Sequence, residues 1–370
     1  MRLGYESRTN PQGDKMSLEE LRRKIDKTDT EIVKLIGERI RIAHEIGEEK
    51  RVQGLEINDR AREKKVSQHI KRIAQSKNIN QEIIENVYKQ IMTACRRTQG
   101  AEVAFPGEVG SYSEEAALQF FGPLVTTKPY ETLEEVFKVV EQDDVQFGIV
   151  PVENSLEGTI GRSYDLLLDS SLKVCGEIEL RVVHCLITNP ATRLDAIKRV
   201  YSHPQALGQC RTFLKHLDCK LIPASDTAGS IKMIKEKKLT DAGAIASARA
   251  AEIYSMKTIT CEIEDNPNNF TRFFILSKKD CPPSGNDKTS IVFSVKHKPM
   301  ALYNFLKEFA TRNINLTKIE SRPTRQRAWE YNFYLDFEGH REDKAPREVL
   351  ESLEATAPFL KILGSYPRAK

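Results

Sequence analysis

The chain has 370 residues and a mass of 42.1 kDa, more than one hydrophobic core usually holds, so two or three domains are expected. With 39% hydrophobic and 30% charged residues and a mean hydropathy of −0.47, the composition excludes a mostly disordered chain, and no apolar run reaches the ~18 residues of a membrane span. The net charge of +4 is uneven: residues 1–100 carry 22 basic and 16 acidic side chains, the remainder 35 and 37. The opening residues Met1 to Arg8 lack the apolar stretch of a signal peptide, which makes the cytoplasm the expected location. Seven cysteines (Cys95, Cys175, Cys185, Cys210, Cys219, Cys261 and Cys281) are scattered without a Cys-x-x-Cys pair, so neither a disulfide framework nor structural zinc is expected.

Residues 1–15 are polar and without periodicity and are expected to be a disordered tail. Ser17 with Glu20 three residues on forms a capping-box pattern that opens a module spanning 16–100. Pro11 is its only nearby proline, and Tyr5 and Tyr88 are the only aromatics before residue 100, so helices alone are expected. The basic excess is interspersed with acids and lacks aromatics to stack on bases, which argues against nucleic acid.

An apolar stripe runs through Leu18, Leu21, Ile25, Ile32 and Ile36, and the same spacing continues to Arg39, Ala43, Ile46 and Lys50. Arg39 and Lys50 therefore face inward. A second helix carries Asp59, Glu63, Val66, Ile70 and Ile73 on one face with Arg62 beside it, and a third, from about Asn80, brings Ile84, Tyr88, Ile91 and Cys95 to one side and Gln99 close to it. Several cations converging inside a bundle imply an anionic ligand, because a buried unpaired charge costs several kcal/mol. The first helix would be roughly 50 Å long, too long for two shorter helices to cover, so a partner chain is expected.

Leu21-Arg22-x-Lys24-Ile25, Glu38-Arg39, Gly47-x-x-Lys50, Asp59-x-x-Arg62-Glu63 and Gln99 together resemble the all-helical chorismate mutases. That resemblance implies that Arg39, and Arg22 from a partner subunit, hold the two carboxylates of chorismate. It gives Lys50 and Gln99 the ether oxygen, Glu63 and Asp59 the ring hydroxyl, and Arg62 a supporting place. Cys95 stands where a serine often contacts a carboxylate. The rearrangement needs neither nucleophile nor cofactor; holding the reactive conformer supplies roughly 7–11 kcal/mol, and a cation at the breaking ether bond adds to it.

From residue 101 to 281, short Val/Ile-rich runs at 102–105, 147–150, 182–187, 199–202 and 242–246 alternate with helical patterns at 132–141, 205–216 and 227–237, which predicts an α/β domain. No glycine pattern supports a nucleotide site. Gly107-x-x-Gly110-Ser111-Tyr112-Ser113 ahead of a helix could present backbone N–H groups to an anion. Polar residues gather at strand-to-loop junctions, which tend to line clefts: Pro151 to Ser155, Ser202 to Gln205, and Asn269 to Phe273.

These junctions carry a second resemblance. Thr271-Arg272-Phe273, Gly110-Ser111-Tyr112-Ser113, Val150-Pro151-Val152-Glu153-Asn154-Ser155-x-Glu157-Gly158 and Tyr201-Ser202-His203-Pro204-Gln205-Ala206-Leu207-x-Gln209-Cys210 are similar to the prephenate dehydratases, which have a two-lobed, periplasmic-binding-like fold with the active site between lobes. The family reaction removes carbon dioxide and the ring hydroxyl from prephenate to give phenylpyruvate. By resemblance, Thr271 donates toward the departing hydroxyl, and Arg272, Ser202, Gln209, Asn154 and Glu153 bind the carboxylates or organise the cleft. His203 is the competing acid, although His-Pro at a strand end more often serves structure.

Residues 282–288 read as a linker, and 289–370 as a ferredoxin-like α+β domain with element order βαββαβ. Glu320-Ser321-Arg322-Pro323, followed by Trp329-Glu330, resembles the ACT regulatory domain joined to prephenate dehydratases, which binds phenylalanine. Its other ligand segment is normally Pro-Gly-Ala-Leu; this chain has Pro299-Met300-Ala301-Leu302, with a long side chain where glycine allows close approach. The resemblances imply a multidomain, bifunctional enzyme of phenylalanine biosynthesis that acts on chorismate and prephenate, uses no cofactor or metal, and forms a homodimer or higher assembly. A non-catalytic amino-acid sensor and a dehydratase whose helical module only dimerises are the competing readings.

Overall fold

The computed structural model describes residues 17–52, 60–98, 102–324 and 329–369, and the chain divides into two compact units at Gly100/Ala101. The expected tail therefore lies outside the described residues.

The first unit consists of α1 (Leu18–Val52), α2 (Arg60–Ser76) and α3 (Gln81–Thr98). Ser17 and Glu20 form the reciprocal cap read from the sequence, with Ser17 N donating to Glu20 Oε2 at 2.8 Å and Glu20 N to Ser17 Oγ at 3.2 Å. Asn80 Oδ1 caps α3 by accepting from Glu82 N at 2.9 Å. α3 packs on both other helices around Ala43, Ile70, Ala74 and Cys95. The N-terminal half of α1 extends past them, leaving Leu18, Leu21, Ile25 and Ile32 exposed.

Among the described residues, the second unit holds three sheets. The first is built from β1 (Glu102–Pro106), β2 (Thr126–Tyr130), β3 (Phe147–Asn154), β5 (Lys173–Arg181) and β11 (Phe270–Ser277) in the order β2-β1-β3-β11-β5, with the two-residue β4 (Gly158–Thr159) pairing to β3. The second runs β10-β6-β9-β7-β8, from β6 (Cys185–Thr188), β7 (Arg199–Ser202), β8 (Lys220–Pro223), β9 (Ala242–Ala246) and β10 (Lys257–Cys261). Helices α4 (Tyr112–Phe121), α5 (Leu133–Glu141) and α6 (Gly161–Asp169) cover the first sheet. Helices α7 (Pro204–Gln209), α8 (Arg211–Leu214), α9 (Thr227–Glu236) and α10 (Ala248–Ile253) belong to the second. Two lobes result, and the chain crosses between them twice, at 182–184 and at 262–269.

Three sequence expectations change here. The run 182–187 is not one strand: β5 stops at Arg181 and β6 starts at Cys185, because the first crossing lies between them. The helix expected over 205–216 breaks at Cys210, where the Gln209 carbonyl accepts from Asp265 N at 2.7 Å instead of continuing the turn. Cys185 and Cys261, 76 residues apart, are register partners on β6 and β10 and form a disulfide, against the expectation of none.

The third sheet, β13-β14-β12-β15, comprises β12 (Asp287–Ser294), β13 (Leu316–Pro323), β14 (Tyr331–Glu338) and β15 (Phe359–Pro367), all pairs antiparallel, with α11 (Ala301–Thr311) and α12 (Lys344–Glu354) packed on it. The connectivity is βαββαβ. Its other face lies on the first lobe, where Val292, Tyr334, Leu363 and Tyr366 share one core with Val150, Val174, Phe274 and Leu276. Contact is close enough that a Cβ at Gly364 would overlap the Val174 carbonyl.

Side-chain alternation assigns the two faces of the first sheet. Phe273 and Ile275 of β11 pack with α4, whereas Phe274 and Leu276 pack toward the third sheet.

Candidate active site

Thr271 stands at the start of β11, just after the second crossing, and is 9% exposed. Its register partner on β3 is Asn154, while Arg272 is opposite Glu153. The register reaches this arrangement through an irregularity: Phe273 pairs with Pro151, so β3 holds one extra residue, Val152, against β11. Strict alternation would place Asn154 on the same face as Val150 and Val152. The bulge inverts this and sets Asn154 beside Thr271. Asn154 Nδ2 donates to Thr271 Oγ1 at 3.1 Å and to Asn269 Oδ1 at 2.8 Å. Asn269 Nδ2 donates to Gln209 Oε1 at 2.9 Å, joining the first lobe to α7 of the second. Thr271, Asn154, Asn269 and Gln209 thus form one buried polar cluster where the two lobes meet.

Five expectations do not join it. Arg272, expected near the substrate carboxylates, points to the opposite face, as its neighbour on a strand must. Its guanidinium donates from Nε to Glu177 Oε2 at 2.8 Å, from Nη1 to Asp336 Oδ2 at 2.7 Å and from Nη2 to the Tyr366 hydroxyl at 3.1 Å, while stacking over Phe274. Burial opposes its charge, but Tyr366, Asp336 and Glu177 outweigh that and raise its pKa, keeping it ionised. Glu153 shares this side and pairs with Lys318 of β13 at 2.9 Å. Ser202 is fully buried, and its hydroxyl donates to Ile245 O at 2.7 Å, pinning β7 to β9. The backbone turn before α4 is occupied by its own chain, Gly110 N donating to Glu114 Oε2 at 2.7 Å. His203 caps α7, its Nδ1 accepting from Gln205 N at 3.3 Å.

The sequence reading missed Asn269 and His184 as members of the cluster. Asn269 sits two residues before Thr271, and its place in the same junction was a usable signal; nothing in the sequence marked His184, whose Nε2 lies 2.9 Å from Gln209 Oε1.

In the helical unit, Arg39 of α1 is half-buried, and its Nη1 lies 2.6 Å from the sulfur of Cys95, which is 3% exposed. Two of the expected residues from different helices are thereby brought together. Arg22 and Arg62 are exposed. Asp59 and Gln99, and the side chains of Lys50 and Glu63, lie outside the described residues.

The expected effector segments occupy the third sheet. Met300, 59% exposed, adopts a left-handed conformation (φ 67°) immediately before α11, which begins with Ala301 and Leu302. On β13, Glu320 accepts from Thr159 of β4, and Arg322 donates from Nη2 to Asp165 of α6 at 3.0 Å, with Ser321 exposed between them and Pro323 ending the strand.

A three-helix module is thus followed by a two-lobed α/β domain with a buried polar cluster where its lobes meet. The family patterns agree: chorismate mutase type II matches residues 21–100 and prephenate dehydratase residues 103–281. The chain is 39% identical over 360 residues to the bifunctional chorismate mutase/prephenate dehydratase of Aquifex aeolicus, covering 95% of this chain and 98% of that one. It is 38% identical over 365 residues to the Pseudomonas aeruginosa protein of the same description, covering 96% and 99%. Among solved structures, prephenate dehydratase of Arthrobacter aurescens in complex with L-Phe superimposes with a TM-score of 0.67 at 29% identity, covering 72% of this chain and 90% of that one. The chain belongs to the bifunctional chorismate mutase/prephenate dehydratase family and carries both activities in phenylalanine biosynthesis. None of its described helices is long and apolar enough to cross a membrane.

Proposed function

We propose that the Thr271 cluster is the dehydratase site, with Thr271 as hydrogen-bond donor to the departing ring hydroxyl, and that the third sheet with its helices is an ACT domain through which phenylalanine restrains that site. The observation that carries this reading is the register of β11 against β3. It puts Thr271 and Asn154 on the interlobe side and Arg272 and Glu153 on the third sheet, one residue apart.

In the dehydratase step, the bond from the ring to the carboxylate breaks and its electron pair enters the ring as the C–O bond to the hydroxyl breaks. The hydroxyl, hydrogen-bonded by Thr271, takes a proton that solvent ultimately supplies and leaves as water, carbon dioxide departs, and the ring becomes aromatic. Asn154 Nδ2 occupies a lone pair of Thr271 Oγ1, which leaves the threonine proton free for the leaving oxygen. In the helical unit, Arg39 with Arg22, Lys50, Gln99, Glu63, Asp59 and Arg62 form the mutase site, and the Cys95 sulfur, standing where a serine often contacts a carboxylate, lies against the Arg39 guanidinium. The uncovered apolar residues at the start of α1 support a homodimer, with Arg22 serving the partner's site. Sedimentation of a monomer at tens of micromolar protein would remove that part of the reading.

The L-Phe bound to the Arthrobacter aurescens enzyme supports the effector assignment. L-phenylalanine at millimolar concentration is expected to lower prephenate turnover. Met300 holds a left-handed conformation that costs a non-glycine residue roughly 1–2 kcal/mol, so Met300→Gly is expected to fold normally and to need less phenylalanine for half-inhibition. Turnover insensitive to phenylalanine in both chains would refute the regulatory assignment.

A further inference from the structure

The polarity of the hydrogen bonds around Thr271 can be followed atom by atom. Asn154 Oδ1 accepts from Leu156 N and from Glu157 N, each at 3.1 Å, which fixes the orientation of its amide and makes Nδ2 the atom that meets Thr271 and Asn269. Asn269 accepts through Oδ1 and so donates through Nδ2 to Gln209 Oε1. An amide oxygen only accepts, so His184 Nε2, also 2.9 Å from Gln209 Oε1, carries a hydrogen. Both hinge-side partners of Gln209 are therefore donors. Among the described residues its own donor, Nε2, is buried without a hydrogen-bond partner, in a side chain 8% exposed. Unpaired buried donors are rare in folded proteins, and this one belongs to a cluster whose every other member is bonded.

Turning the Gln209 amide over would set two donors, from Asn269 and His184, against its nitrogen. His184 lies on the first crossing between lobes and Asn269 on the second, so the orientation of Gln209 is imposed from the hinge. Behind the imidazole, the Tyr112 hydroxyl lies 3.0 Å from Nδ1 and 2.7 Å from Val183 O, so its one hydrogen can reach an unprotonated Nδ1, and the His184 backbone N donates to Glu264 Oε2 at 3.0 Å. Burial lowers the His184 pKa, in keeping with a neutral ring protonated on Nε2 alone.

We propose that His184 is a positioning residue of the dehydratase, whose Nε2–H holds Gln209 in the one amide orientation that offers both Nε2 hydrogens to an oxygen of bound prephenate. The proposal rests on the assignment of the Thr271 cluster as the dehydratase site. One end of the relay then presents the Thr271 hydroxyl hydrogen and the other the Gln209 amide hydrogens, matched to a substrate with two carboxylates, a ketone and a hydroxyl.

The test measures kcat and KM for prephenate, together with thermal unfolding, in full-length wild type, His184→Leu, His184→Gln, Gln209→Glu and Thr271→Val. His184→Leu is expected to lower kcat/KM by about tenfold or more, mainly through KM, because Gln209 can then turn its oxygen to the substrate. His184→Gln, whose amide N–H can replace the imidazole donor, is expected to stay within about threefold of wild type. Gln209→Glu keeps both hinge-side bonds but presents an acceptor to the substrate, and is expected to fall at least as far as His184→Leu. Wild-type kcat/KM in His184→Leu or in Gln209→Glu, or equal losses in His184→Gln and His184→Leu, would overturn the proposal. Should His184→Leu show no cooperative unfolding, the Gln and Glu variants decide by the same criteria. Full turnover in Thr271→Val would instead overturn the site assignment, which separates the two failures.

Discussion

Thr271→Val is expected to lower kcat for prephenate by about 10²- to 10⁴-fold, the range typical of a positioned proton donor, and to leave the chorismate rearrangement unchanged. Valine keeps the shape of threonine and removes only the hydroxyl. Asn154 Nδ2 still has Asn269 Oδ1 and Phe270 O as acceptors, so little structure is lost with the hydroxyl. Initial rates with each substrate on one protein sample make the comparison internal. A variant that turned over prephenate at the wild-type rate would show that the leaving hydroxyl is helped by another group.

Arg272→Ala is expected to act on stability. The guanidinium lies among Glu177, Asp336 and the Tyr366 hydroxyl, and removing it leaves two carboxylates buried, with Lys288 as the nearby cation for Glu177. Breaking a buried pair by deleting one partner costs about 3–5 kcal/mol, so the transition of the 101–370 unit should move to markedly lower denaturant. The same variant separates two accounts of the residue. If Arg272 held a substrate carboxylate, its loss would raise KM for prephenate and spare the unfolding transition; as a tie between the first lobe and the third sheet, it should do the reverse. Phenylalanine inhibition of the folded fraction should weaken as well, because Arg272 adjoins Thr271 on β11 and is bonded to Asp336 on β14.

The elements that the sequence disclosed are those set by local chemistry. Ser17 and Glu20 announce the start of α1 because a capping box is complete within four residues, and the βαββαβ order of the third sheet is readable because each element is short and separately patterned. What stayed hidden depends on partners distant in sequence. Thr271 and Arg272 are equally polar and adjacent, and only the pairing of β11 with β3 and β5 decides which of them faces the lobes' junction. The extra Val152 decides the same for Glu153 and Asn154, yet in sequence it is one more apolar residue in an apolar run. Cys185 and Cys261 become neighbours only because β6 and β10 pair. His184 enters the cluster from a crossing that reads as the middle of a strand. The candidate residues were thus legible as junction motifs, whereas the face each one occupies was a property of register.

The most direct test gives the purified full-length chain chorismate alone, without cofactor, and follows chorismate, prephenate and phenylpyruvate over time in the wild type and in Thr271→Val. Two activities in one chain, the second at the Thr271 cluster, require phenylpyruvate from the wild type and accumulating prephenate from the variant. Prephenate accumulating in the wild type, or phenylpyruvate forming equally fast in both, would contradict the account.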